Sequence, residues 1–70
     1  MERAEIFLRN DIKTFIKDVY GNYHFCFIKE IAKEWIIVKN FEGNRAGEKV
    51  RILLIDIEVL KEYKERGDGL

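Results

Sequence analysis

Proline, serine and glutamine are missing from this 70-residue chain, and cysteine, histidine and threonine each occur once. The single cysteine, Cys26, leaves no internal disulfide, and with His24 as the only histidine a four-ligand zinc site built from Cys and His is out of reach. Charge of one sign is also lacking, because thirteen basic residues face thirteen acidic ones. A dedicated duplex-DNA binder carries a basic excess, so that class is disfavoured. No apolar run approaches the roughly 18–20 residues of a membrane span. The start Met1-Glu2-Arg3-Ala4-Glu5 is charged, with no apolar core behind it, so no secretory signal is expected. A lone thiol fits a reducing compartment, and the expected location is the cytoplasm. The bias toward Ile, Lys and Glu resembles that of thermophile proteins.

What is present is a dense supply of β-branched and aromatic residues. Residues 2–10 are the exception: Ala4, Phe7 and Leu8 fall at helical spacing, and Glu2 and Glu5 suit the positive end of a helix dipole, so a short helix is expected, with a strand through Glu5–Leu8 as the competing reading. Strands are expected over 12–19, 23–31, 35–41 and 49–55. Residues 57–63 form a fifth strand or a helical turn. Tyr20-Gly21-Asn22-Tyr23 carries the Gly and Asn of a hairpin turn. In the second strand, alternation puts Tyr23, Phe25 and Phe27 on one face and His24, Cys26 and Ile28 on the other. Both faces are largely apolar, so both need covering, one by the core and one by the helix or a neighbouring subunit. Short strands and tight turns point to a mainly β fold, a small five-stranded, strongly bent and closed barrel with a short N-terminal helix. The domain is expected over residues 1–63, with 64–70 as a flexible tail. A chain of this length buries only about 60% of the surface its unfolded form exposes. Without disulfide or metal, oligomerisation is the remaining support, so a homo-oligomer is expected.

Ile16-Lys17-Asp18 with Gly21, then Ile28 and Ile31 before Trp35-Ile36-Ile37-Val38, and finally Ile52-Leu53-Leu54-Ile55-Asp56-Ile57, follow a helix-and-five-strand order that resembles the Sm and Sm-like small-barrel family. The resemblance covers about residues 5–63. It implies a bent barrel and ring assembly, the fourth strand pairing with the fifth strand of a neighbour. The family's uridine-gripping residues are not carried over. Cys26 stands where the family has a Gly, Ala32 and Ile36 where it has Asp and Asn, and Leu54-Ile55 where it has Arg-Gly.

Four groups of residues compete for a functional role. Arg45, Lys49 and Arg51, in and after the long connection 40–51, are candidate RNA phosphate contacts, with Gly43 and Gly47 letting the backbone approach closely; the plainer reading is a strand connection kept soluble by its charges. Tyr20 and Tyr23 flank a turn and are candidates for stacking on bases, whereas Phe25, Phe27 and Trp35 are expected in the core. His24 and Cys26 point the same way but about 7 Å apart, too far for a catalytic pair. The expectation is a buried thiol and a histidine near the barrel wall, with a metal site across a symmetric interface as the alternative. Acid pairs such as Glu30 with Glu34, or Asp56 with Glu58, are expected to be solvated. No catalytic constellation, cofactor motif or small-molecule site is evident. The functional expectation is a homo-oligomeric Sm-like protein that binds RNA through backbone contacts. The alternative is a protein-interaction or scaffolding barrel with no nucleic-acid role.

Overall fold

A computed structural model describes residues 2–64 of the chain. The expected tail lies outside the described residues apart from Lys64. One helix, α1 (Glu2–Arg9), precedes five strands: β1 (Thr14–Asp18), β2 (Tyr23–Ile31), β3 (Trp35–Asn40), β4 (Lys49–Leu53) and β5 (Ile57–Glu62). A 3₁₀ turn, Leu54–Asp56, joins the last two. All neighbouring strands pair antiparallel, in the order β4-β3-β2-β1-β5. The fold is therefore mainly β with one short helix. The expected closed barrel is corrected in one respect: β4 and β5 are the two edges of the sheet and are not bonded to each other.

The chain itself forces this open sheet to curl. Leu54 N–H donates to Glu34 C=O (2.9 Å), and Val19 N–H donates to Asp56 C=O (2.8 Å). Glu34 follows one end of β2, and Val19 precedes the other. A straight nine-residue strand spans roughly 30 Å, yet both of its ends reach the same three-residue turn. β2 must bend, and its pairing with β3 slips between Ile28 and Glu30, where Lys29 is the extra residue. A second slip sets Lys17 and Asp18 of β1 opposite Val59 and Ile57 of β5, with Glu58 as the bulged residue.

Alternation along the curled strands gives two distinct faces. Thr14, Ile16, Cys26, Ile28, Ile36, Val38 and Ile52 point inward and are buried, together with Ala4 and Phe7 of α1. The helix thus covers the Cys26–Ile28 face of β2, one of the two covers that strand needs. Thr14 is wholly buried and satisfies its hydroxyl by donating to Ile12 C=O at 2.8 Å. Each fully buried Ile or Val is worth about 1.5–3 kcal/mol relative to exposure, so this small inward cluster is what holds the sheet and helix together.

Helix α1 ends in a left-handed turn. Ile12 N–H donates to Phe7 C=O and Asp11 N–H to Leu8 C=O, the paired bonds of a Schellman cap. Ile12 and Phe7 both pack on the core beneath it. Asp11 occupies the left-handed position at φ 53°, where glycine is the usual residue. Its side chain makes only an exposed, 3.7 Å ion pair with Lys29, worth a few tenths of a kcal/mol. Asp11→Gly is expected to raise stability by about 0.5–1 kcal/mol, read from urea unfolding; a loss of stability would mean that the ion pair outweighs the backbone strain.

Candidate functional site

At the end of the sheet away from the helix, a cleft of about 770 Å³ opens between the β1–β2 hairpin and the β3–β4 connection. One wall is organised by Asp18. Its Oδ1 accepts the backbone N–H groups of Tyr20 (3.0 Å) and Asn22 (2.9 Å). Its Oδ2 accepts Asn22 Nδ2–H (3.2 Å) and His24 Nε2–H (3.1 Å). A carboxylate can only accept, so His24 carries its proton on Nε2 in this arrangement. Gly21, at φ 87°, closes the hairpin by donating to Asp18 C=O at 3.1 Å. Burial alone would push the Asp18 carboxyl up. The hydrogen bonds from Asn22 N–H, His24, the Asn22 amide and Tyr20 N–H outweigh it and hold the pKa at about 2, below the ordinary 3.8.

The opposite wall is the connection 41–48. It is folded on itself: Ala46 N–H donates to Gly43 C=O, Glu48 N–H to Arg45 C=O, and Gly47 N–H to Asn40 C=O at 2.7 Å. A side chain added at Gly43 or Gly47 would meet open space. Gly47 is therefore needed for its φ of 88° rather than for close approach of the backbone to a ligand. Arg45 pairs with Glu48 at 3.5 Å. At the base of the cleft Asn40 is 8% exposed, and its Oδ1 has no hydrogen-bond partner among the described residues.

Of the sequence-predicted RNA residues, Tyr20, Tyr23, Arg45 and Arg51 all border this one cleft. Lys49 does not; it is exposed on the outward side of β4. The acids Asp18, Glu42 and Asp56 border the same cleft, so its charge is mixed. Its chemistry suits the edges and rings of a base better than a string of phosphates. Sequence reasoning missed Asp18 and Asn40. The signals were present: Asp18 begins an Asp-x-x-Gly-Asn turn, and Asn40 continues the inward phase of Ile36 and Val38.

Cys26 and His24 share the inward face without joining in a site. The thiol is fully buried and is pushed up to about 12 by that burial; its only polar contact is a weak one, with Sγ donating to His24 C=O at 3.9 Å. His24 turns instead to Asp18. Among the described residues no group of three or more His, Cys, Asp or Glu can hold a metal ion. Among them also, no helix is long and apolar enough to cross a membrane.

The aromatic residues expected in the core lie elsewhere. Phe25, Phe27 and Trp35 are half-buried on the outward face of the sheet. Phe15, Phe25, Tyr63, Phe41 and Phe27 form a continuous row there, successive ring centroids lying 5.4–5.6 Å apart, with Tyr23 against Phe15 at 5.7 Å. The rings cover one another, so the second apolar face of β2 is served by neither helix nor core. No family model, curated protein or solved structure matches this chain.

Asp18 also sets a pH dependence. A carboxyl whose folded pKa lies near 2 rather than 3.8 adds stability that is complete above the unfolded value and is lost as pH falls through the folded one. Wild-type unfolding midpoints in urea should therefore drop between pH 4 and pH 2. Asp18→Asn should be less stable at pH 6 and should lose most of that drop; an equal drop in both proteins would remove Asp18 as its source.

Proposed function

We propose that this chain is an Sm-like small-barrel subunit that assembles with copies of itself and binds single-stranded RNA, without catalysis. The observation that carries the RNA reading is the convergence of Tyr20, Tyr23, Arg45 and Arg51 on one cleft. Tyr20 and Tyr23 lie at the β1–β2 hairpin, Arg45 in the β3–β4 connection and Arg51 on β4, and they meet because the sheet curls. Aromatic rings beside guanidinium groups supply stacking and a small number of phosphate contacts. The buried Asn40 amide, its Oδ1 without a partner among the described residues, supplies an acceptor near the same opening.

The strand order supports the assembly. β4 and β5 are unpaired edges of a sheet already curled toward closure, and exposed edges recruit further strands. Large apolar side chains are exposed beside them: Ile55 is 85% exposed, and Val19 and Leu53 are also uncovered. Val19 is tied to the Leu54–Asp56 turn by its backbone bond to Asp56, so these residues gather at one end of the subunit. Pairing β4 of one copy with β5 of the next would satisfy both edges and cover that apolar group.

Light scattering on the purified 8.4 kDa chain, with and without a short oligo-uridylate and a random-sequence RNA, tests both parts. The expected result is a mass of several copies, a fall toward monomer in Ile55→Lys, and RNA binding. Tyr20→Ala combined with Arg45→Ala should weaken binding about tenfold or more and reduce the salt slope by about 0.7. A wild-type monomer overturns the assembly. An oligomer that binds neither RNA overturns the ligand and favours the scaffolding alternative.

A further inference from the structure

The chain is electrically neutral in sum, but its two sheet faces are not alike. Lys17 and Lys61 share the outward phase of β1 and β5 with Phe15. Lys39, Lys49 and Arg51 share that of β3 and β4 with Trp35 and Ile37. The bulged Lys29 lies over Phe27, its Nζ 5.5 Å from the ring centroid. Against these six cations the same strands carry two acids on this side, Glu30 opposite Ile37 and the bulged Glu58 beside Lys17. Two of these cations have a carboxylate partner, Lys17 with Glu58 at 3.3 Å and Lys29 with Asp11 at 3.7 Å. Lys39, Lys49 and Lys61 are exposed and make no ion pair among the described residues.

Two features of this face are costly unless something binds there. Lys39 and Lys49 sit directly opposite each other across β3 and β4, and like charges in that relation destabilise a sheet. The row of rings described above is only half-buried, and it lies between that lysine pair on one flank and Lys61 on the other. Lys61 Nζ stands 5.4 Å from the centroid of Phe15. Between Phe15, Phe25 and Tyr63 lies an open depression of about 510 Å³, rimmed by Lys61, Glu62 and Lys64, a size within the range of small-molecule sites.

We propose that this outward face is a second docking surface for single-stranded nucleic acid. The strand crosses the sheet. Its bases stack on Phe15, Phe25 and Tyr63, and its phosphates meet Lys61 on one flank and the Lys39–Lys49 pair on the other. Lysine side chains are flexible, so Lys61 can leave the Phe15 ring for a phosphate and expose the ring's face to a base. Another copy of this chain is a poor occupant, because it would set lysines against lysines. An acidic peptide meets the charges but leaves the ring row without flat partners, whereas nucleic-acid bases fill it. The surface shares the ligand class of the cleft and, at Phe25 and Arg51, its border, but Phe15, Tyr63, Lys39, Lys49 and Lys61 belong to it alone.

Fluorescence anisotropy with labelled oligo-uridylate and, separately, a labelled poly-glutamate peptide tests this at several salt concentrations. Lys39→Gln with Lys49→Gln should weaken oligo-uridylate binding several-fold and reduce the salt slope by about 1.4, two single-strand phosphate contacts. The same variant should melt at an equal or higher temperature, because it relieves a repulsion; this separates lost binding from lost folding. Phe15→Leu keeps the apolar bulk and lies outside the cleft, and with its melting temperature checked it should weaken binding about fivefold or more. Wild-type affinity in both variants overturns the surface, and if the Tyr20→Ala, Arg45→Ala protein alone loses RNA the cleft stands without it. Loss in the outward-face variants alone leaves this surface standing and removes the cleft. Poly-glutamate bound as tightly as oligo-uridylate, with no effect of Phe15→Leu, also overturns the proposal, because the face would then be a plain polyanion surface.

Discussion

Three residues, Leu54–Asp56, carry the chain from one edge of a five-stranded sheet to the other. In a flat sheet those edges would stand about 19 Å apart, four strand spacings. A three-residue 3₁₀ turn rises only about 6 Å. The mismatch is resolved by curvature, and the rest of the molecule follows from it. Curvature separates an inward face, small and filled by branched aliphatic side chains, from an outward face with room for large rings. It also brings the hairpin after β1 against the turn before β5, with Val19 N–H donating to Asp56 C=O. The cleft exists because that hairpin and the β3–β4 connection are carried to the same end.

Asp18 is the residue on which this end depends most. It terminates β1, accepts four hydrogen bonds, and fixes both the hairpin backbone and the His24 ring. Its neighbour Val19 holds the 3₁₀ turn. The same two residues therefore shape one wall of the cleft and anchor the connection that enforces the curl. A carboxylate with this many donors stays ionised well below the usual range, which is why it can be 7% exposed without a full ion-pair partner.

Much of this was legible in the sequence. The β-branched and aromatic runs marked four strands and left residues 57–63 open between a strand and a helical turn, and β2 matched its expected limits, because Gly21-Asn22 and Ala32-Lys33-Glu34 punctuate it sharply. The helix was legible from Ala4, Phe7 and Leu8. Closure was not, because whether two edge strands bond depends on fractions of a strand spacing that no residue pattern encodes. The expected core positions of Phe25, Phe27 and Trp35 failed for a related reason. Alternation gives two faces without saying which is concave, and a tightly curved inner face takes Ile16, Cys26 and Val38 where larger rings would not fit. The candidate RNA residues were identified by type, but their division between cleft and outward face required the register of β4 against β3.

That register also explains how a neutral chain can gather more bases than acids on one face of its sheet. Lys39 and Lys49 are ten residues apart in sequence and look like ordinary solubilising charges flanking a long connection. The antiparallel pairing of β3 with β4 makes them direct neighbours. Most acids take other places, Glu2 and Glu5 on the helix, Glu34 and Glu42 in connections and Asp56 in the 3₁₀ turn, while Glu30 and Glu58 stay on the outward side. Balanced composition therefore excludes a uniformly basic protein but says nothing about segregation between faces. Strand alternation turns a two-residue spacing in sequence into a one-sided field in space. A curled sheet spreads that field over its convex side, where like charges lie farther apart and repel less than they would on the concave one.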